Sequence, residues 1–131
     1  MIPSYLYTAT FPTGSNYICN PPVTDTDVDQ MFLVTNLVAL DLWLLANRWE
    51  ICRGKDNYPV EVWAAYRKGN MNALITDDPD YFAKFYHATE LAKERNLLDK
   101  KDRIELFTKI CGQMTKKKQT PYDYYVEQGI L

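Results

Sequence analysis

Two aspartates, one residue apart, stand at the start of an apolar run, and this feature most constrains the fold. Asp27 and Asp29 come just before the apolar residues 31–34. Residues i and i+2 of a strand point to the same side, so the two carboxylates would converge on one spot. Like charges held together are costly unless a cation shares the site, and hard oxygen ligands suit Mg²⁺. The pair therefore predicts a strand that begins at a magnesium site.

A glycine–serine turn lies upstream of these aspartates. Gly14 and Ser15 offer backbone N–H groups and a hydroxyl to a phosphate. Taken alone, such a pair is an ordinary tight turn, but the downstream aspartates favour phosphate binding. Asp25 either joins the site or is an Asx-type turn residue that follows two prolines, and the second interpretation is preferred.

Together these elements resemble the signature of the DNA polymerase beta-like nucleotidyltransferase superfamily, in which a Gly-Gly or Gly-Ser turn precedes Asp-x-Asp at an apolar strand. Residues 67–78 and 97–104 are similar to blocks of small nucleotidyltransferase-like proteins of tailed bacteriophages, so the resemblance covers roughly residues 8–112. It implies that Asp27 and Asp29 are catalytic and hold Mg²⁺. It also implies that Gly14 and Ser15 hold the β- and γ-phosphates of a nucleoside triphosphate.

The sequence departs from the family pattern at the third carboxylate, which helps to activate the attacking hydroxyl in the family. Asn72 stands at the position that we align with it, and Glu61 is a rival whose spacing fits less well. Asparagine can coordinate a metal through a neutral oxygen but cannot act as a base. If Asn72 is the equivalent, catalysis is weakened or absent while metal and nucleotide binding can survive.

Two basic residues, Arg67 and Lys68, precede a predicted hairpin turn near this site. They either contact the triphosphate or a nucleic-acid backbone, or belong to a solvated turn, and the sequence favours neither. Further basic patches occur at residues 93–103 and 116–118. The formal net charge of −2 excludes a global basic field for non-specific nucleic-acid binding.

Length and composition indicate one packed domain. The chain has 131 residues, of which 47% are hydrophobic. Its three cysteines form neither a zinc pattern nor a disulfide framework, and no signal peptide is visible. The longest apolar run, residues 37–46, is interrupted by Asp41 and is too short to span a bilayer. We therefore expect a cytoplasmic protein, in the host cell if it is viral, with no membrane partner.

The hydrophobic pattern predicts an α+β domain, a minimal nucleotidyltransferase-like fold with a small mixed sheet flanked by helices. The domain is expected to span residues 1–115, and residues 116–131 form a C-terminal tail. Strands are predicted at residues 5–11, 25–34, 60–67 and 71–76, with a loop at 55–59 and a hairpin turn at 68–70. Helices are predicted at residues 37–51, 79–95 and 100–113, with N-caps at Asn36, Asp78 and Asp99.

Two functions follow from the resemblance. The first is a Mg²⁺-dependent nucleotidyltransferase-like protein that binds a nucleoside triphosphate and transfers a nucleotidyl group to a hydroxyl acceptor, which the sequence does not identify. The alternative is a catalytically degenerate, phage-encoded inhibitor, for anti-defence or host takeover, that binds a host protein. The small size of the chain and Asn72 favour the alternative, so the sequence leaves open whether the protein is an enzyme.

Overall fold

The computed structural model describes residues 2–19, 28–51, 57–59, 64–112, 114–116 and 129. After a short 3-10 helix, its strands are β1 (Ala9–Thr13), β2 (Val28–Leu33), β3 (Glu50–Ile51), β4 (Asn57–Pro59), β5 (Ala64–Lys68), β6 (Met71–Thr76) and β7 (Met114–Lys116). Its helices are α1 (Gly14–Ile18), α2 (Leu37–Ala46), α3 (Pro79–Glu94) and α4 (Lys100–Cys111).

Five strands form a mixed sheet in the order β1-β2-β6-β5-β3. Strands β2 and β6 are parallel, and the other neighbours are antiparallel. Helix α2 packs on one face, while α1, α3 and α4 pack on the other. The prediction of an α+β domain with a small mixed sheet flanked by helices is confirmed. A separate two-stranded sheet joins β4 to β7.

The α2 face of the sheet is covered by an apolar core. Leu40 and Leu44 of α2 are fully buried together with Ile75 of the sheet. Within this core, the carboxyl group of Asp41 accepts a hydrogen bond from the hydroxyl of Tyr66, as a buried polar group requires. Among the described residues, no helix is both long and apolar enough to cross a membrane.

The opposite face of the sheet is covered by an aromatic cluster under α3 and α4. The Phe85 ring centroid lies 4.9 Å from that of Phe107 on α4 and 6.1 Å from that of Phe11 on β1. Aromatic pairs such as the edge-to-face pair of Phe85 and Phe107 add about 0.5–1.5 kcal/mol beyond the burial of their area. Phe85 therefore holds both helices against the edge of the sheet.

The local start signals of the helices are confirmed. Asn36, Asp78 and Asp99 immediately precede α2, α3 and α4, respectively. The side chain of each accepts a hydrogen bond from a backbone N–H in the first turn of its helix, and the shortest of these bonds for each residue is 2.9–3.0 Å. Pro79 occupies the first position of α3, where its missing N–H costs nothing. These residues satisfy donors that no other backbone group can reach.

Three predicted boundaries are wrong for physical reasons. Pro12 was expected to end the first strand but lies within β1, opposite Gln30, because β1 is an edge strand that tolerates a missing donor. Helix α2 ends at Ala46 because Arg48 has a left-handed φ of 68°. Residues 57–59 form β4 rather than a loop, since they pair with a strand far along the chain.

Candidate functional site

A row of polar side chains crosses the sheet on the face that carries α1 and α3. Thr13 lies opposite Asp29, Asp29 opposite Asn72, Asn72 opposite Arg67, and Arg67 opposite Glu50. Residues directly opposite one another on neighbouring strands point to the same face. Two residues further along β2 on that face, Met31 belongs to the buried core. The polar row therefore marks the end of the apolar core at one edge of this face.

Gly14 lies against the carboxylate of Asp29. A Cβ added to Gly14 would stand 2.1 Å from Asp29 Oδ2, and Gly14 has a φ of +78°. Both the space and the backbone conformation therefore require glycine at this position. Two predicted site residues that are distant in sequence are thus brought together, with Ser15 following Gly14 in α1. The predicted partner Asp27 lies outside the described residues.

Asn72 stands beside Asp29 on the adjacent parallel strand. Its Nδ2 donates a hydrogen bond of 2.9 Å to Asp29 Oδ1. A hydrogen bond to an ionised carboxylate is stronger than one between neutral groups, so Asn72 fixes the orientation of Asp29. The resemblance placed a third carboxylate at this position, and the structure puts the amide within contact of the predicted metal ligand.

The two basic residues of the β5–β6 hairpin are directed differently. Arg67 is exposed on the face of the polar row, and its Nε donates to the backbone oxygen of Gly69 at 3.1 Å. Lys68 is the next residue of the strand, so it points to the opposite face, where Nζ donates to Asn47 O at 3.0 Å. The structure therefore keeps Arg67 on the face of the site and separates Lys68 from it.

A cleft of about 340 Å³ opens at the end of the polar row that contains Asp29. The sheet contributes Thr13 and Asp29 to its lining, α1 contributes Asn16 and Tyr17, and α3 contributes Lys93. Its volume lies near the lower end of the range of roughly 300–1,000 Å³ for small-molecule pockets. The cleft can therefore take a small ligand against the Asp29 carboxylate.

The cleft wall opposite the sheet is held by contacts between α1 and α3. Tyr17 Oη donates to Glu90 Oε1 at 2.8 Å. Lys93 Nζ donates to the backbone oxygen of Tyr17 at 2.9 Å and lies 4.0 Å from the centre of its ring. The hydrogen bond to Glu90, followed by burial and the negative charge of Glu90, raises the pKa of Tyr17 above its usual 10.0.

Sequence reasoning did not identify Tyr17 or Lys93 as site residues. Tyr17 follows the predicted glycine–serine turn without a role of its own, and Lys93 was noted only as the start of a basic patch. Their approach depends on how α3 packs over α1, including a contact of 2.9 Å between the hydroxyls of Thr13 and Thr89. A local sequence pattern cannot predict packing between segments that lie so far apart in the chain.

The donor groups at Asp29 fit a magnesium ion that arrives with a phosphate ligand. Mg²⁺ commonly binds through one or two carboxylates and completes its coordination with phosphate oxygens and water. The described residues include Asp29 with its neighbouring amide but no group of three or more His, Cys, Asp or Glu side chains placed to hold a metal ion. These donors are suited to a metal-bound polyphosphate and do not form a complete metal cage.

In comparisons with known proteins, no family model, no curated protein and no solved structure matched the chain. Membership of the nucleotidyltransferase superfamily therefore stays an expectation from the sequence.

Proposed function

We propose that the protein is a Mg²⁺-dependent nucleotidyltransferase-like protein. It binds a nucleoside triphosphate in the cleft and transfers a nucleotidyl group to a hydroxyl acceptor. The observation that supports this function is the close approach of Gly14, where β1 ends, to the carboxylate of Asp29 at the start of β2. The resemblance implies this combination of a glycine turn with a strand aspartate, and the cleft lies directly beside it.

Each residue of the site has a distinct role in this proposal. Asp29, together with Asp27, would hold Mg²⁺, and the bound metal would offset phosphate charge and lower the pKa of the attacking hydroxyl. Gly14 lets the backbone approach the ligand closely, and Ser15 offers its N–H and hydroxyl to phosphate oxygens. Asn72 keeps Asp29 directed at the cleft.

Calorimetric titration of each Mg²⁺–nucleoside triphosphate tests the binding step. We expect the wild type to bind only with Mg²⁺, and Asp29→Asn, like Asp27→Asn, to lower the affinity at least about tenfold, since a neutral amide is a weaker ligand for a hard cation. Asp77→Asn is the matched control, because Asp77 is exposed just beyond the far end of β6. A folded wild type that binds no nucleotide contradicts the proposal.

A second function is favoured by one observation, the amide at position 72. In this alternative the protein is a catalytically degenerate, phage-encoded inhibitor that keeps the binding cleft and acts on a host protein, for anti-defence or host takeover. Asn72 cannot accept a proton from the attacking hydroxyl, which fits binding without turnover. Such an inhibitor keeps its effect in Asp29→Asn, whereas an enzyme loses it.

The Asn72→Asp substitution separates the two functions. If the wild type binds nucleotide without releasing pyrophosphate and Asn72→Asp releases it, the site is a degenerate enzyme that a carboxylate repairs. If the wild type releases pyrophosphate, the protein is an enzyme without that carboxylate. The new carboxylate would lie within hydrogen-bonding distance of Asp29, so added Mg²⁺ should raise the melting temperature of this variant more than that of the wild type. Asn70→Asp, in the exposed hairpin turn, is the control.

A further inference from the structure

Lys93 is the one cationic side chain among the described residues that line the cleft. It extends from α3, whereas Asp29 extends from β2, so a cation and a carboxylate contribute to different walls of the same cavity. A free anion would be repelled by Asp29, and a free cation by Lys93. The pair suits a ligand that carries both charges, which is a polyphosphate with a bound divalent metal ion.

The present partners of Lys93 are both neutral. Its Nζ contacts the backbone oxygen of Tyr17 at 2.9 Å and the face of the Tyr17 ring at 4.0 Å. Within the part of the chain that the structure describes, no carboxylate lies within ion-pair distance of this ammonium group. An exposed cation–π contact contributes about 0.5–1 kcal/mol. A hydrogen bond to a phosphate oxygen, which is charge-assisted, is roughly twice as strong as a neutral one.

The Lys93 side chain can exchange its hydrogen-bond partner without a movement of α3. The Tyr17 ring is fixed by its hydroxyl, which donates to Glu90 on the preceding turn of α3. Lys93 itself has a flexible stem and three donors, so it can rotate from the Tyr17 carbonyl towards a ligand in the cleft. Glu90 accepts the hydrogen bond from Tyr17 and, among the contacts of the described residues, forms no ion pair with Lys93.

We propose that Lys93 binds phosphate oxygens of the nucleotide's polyphosphate chain, opposite the metal held at Asp29. This inference rests on the proposed function, because it assigns a further binding residue to the same cleft. It gives Lys93 the phosphate-binding role that the sequence offered to Arg67 and Lys68. In the structure, Lys93 lines the cleft, and neither Arg67 nor Lys68 does.

Calorimetric titration with two probes tests the assignment. The probes are Mg²⁺–ATP and Mg²⁺–tripolyphosphate, applied to the wild type, Lys93→Met and Lys93→Arg. We expect Lys93→Met to lower the affinity for both probes at least about tenfold, and Lys93→Arg to stay within about threefold, because a charge-assisted hydrogen bond is lost only in the first. Lys84→Met is the control, since Lys84 lies on the same helix, is exposed and pairs with Asp80 instead of lining the cleft.

The outcomes distinguish a failure of this inference from a failure of the proposed function. Unchanged affinity in Lys93→Met, with Asp29→Asn abolishing nucleotide binding, overturns the role of Lys93 and leaves the nucleotide site intact. Tripolyphosphate binding that needs Lys93, without any nucleotide binding, overturns the nucleotidyltransferase proposal and keeps an anion site. A folded wild type that binds neither probe overturns both. Equal loss in Lys84→Met would show non-specific charge attraction and would also overturn the assignment.

Discussion

Each face of the sheet carries an aspartate that is hydrogen-bonded by a neutral side chain, yet the two pairs have different surroundings. On the α2 face, Asp41 is 2% exposed and accepts from the Tyr66 hydroxyl. On the other face, Asp29 is half-buried, accepts from Asn72 and lines a cleft. Both carboxylates accept a hydrogen bond, so solvent access, rather than the hydrogen bond itself, distinguishes a structural carboxylate from one that can bind a ligand.

The difference arises from how far the helices cover each face. Asp41 lies on α2, whose Leu40 and Leu44 belong to the apolar core, and its burial keeps ligands from reaching the carboxylate. On the other face, the buried side of α3 meets β1 at Thr89, and the next turn presents Lys93 to the cleft. Lys93 is exposed there, and the cleft beside it gives access to Asp29.

The largest effect should come from Gly14→Ala, which tests whether the Asp29 carboxylate can move without a loss of stability. The new Cβ would stand 2.1 Å from Asp29 Oδ2, so the carboxylate must move away from Asn72. We expect the free energy of unfolding to fall by about 3 kcal/mol, from left-handed strain and the lost hydrogen bond to a charged group. Urea unfolding measures the loss, and calorimetry should show weaker binding of Mg²⁺–nucleotide.

Gly69→Ala is the matched control for this prediction. Gly69 also has a left-handed φ, of +61°, but nothing lies within 4 Å of an added Cβ. Only the strain remains, so we expect a loss of about 1 kcal/mol and unchanged ligand affinity. Equal destabilisation by the two substitutions would show that the close approach of Gly14 to Asp29 does not contribute to the difference in the free energy of unfolding.

Tyr66→Phe tests the other face of the sheet. It removes the hydroxyl that donates to the buried Asp41, and we expect a loss of about 2 kcal/mol in the free energy of unfolding, because a buried polar group loses a hydrogen-bond partner. Mg²⁺–nucleotide affinity should stay within about threefold, since α2 and the cleft lie on opposite faces. A large loss of affinity in a folded Tyr66→Phe variant would show that the two faces are coupled.

Sequence patterns predicted the parts of the fold that depend on neighbouring residues. Asn36, Asp78 and Asp99 cap their helices as expected, because a cap acts within one turn. The glycine–asparagine turn at residues 69–70 joins β5 to β6 as expected for a short hairpin. Strands β3, β4 and β7 were missed, because each has only two or three residues and pairs with a partner distant in the chain.

In the candidate site, too, residues expected from a sequence pattern differ from residues that only the tertiary packing brings together. The proximity of Gly14, Asp29 and Asn72 was expected from the motif and its alignment, and the structure places Asp29 against both Gly14 and Asn72. Tyr17 and Lys93 were not expected, because they meet only when α3 lies across α1. The sequence therefore indicated the wall of the cleft made by the sheet and did not indicate the wall made by the helices.

The smallest effect should come from Tyr17→Phe, which tests the helical wall of the cleft through its pH dependence. The hydrogen bond to Glu90 raises the pKa of Tyr17 in the folded state above the unfolded value near 10.0, so its stabilisation is complete below that pH and is lost as the pH rises through the folded pKa. We expect the wild type to exceed Tyr17→Phe by about 0.5 kcal/mol at pH 8, a small value because both groups are partly in solvent.

That difference between the wild type and Tyr17→Phe should shrink towards zero above pH 10, where a Tyr17 phenolate would face the Glu90 carboxylate. Urea unfolding at pH 8 and at pH 11 measures it, and Tyr5→Phe is the control, because Tyr5 is 79% exposed. A difference that does not change with pH would show that Glu90 does not hold the Tyr17 hydroxyl. Tyr17→Phe keeps the ring and the backbone oxygen that contact Lys93. Tripolyphosphate affinity should therefore stay near that of the wild type. This result would show that ligand affinity depends on the charge of Lys93 and not on the Tyr17 hydroxyl.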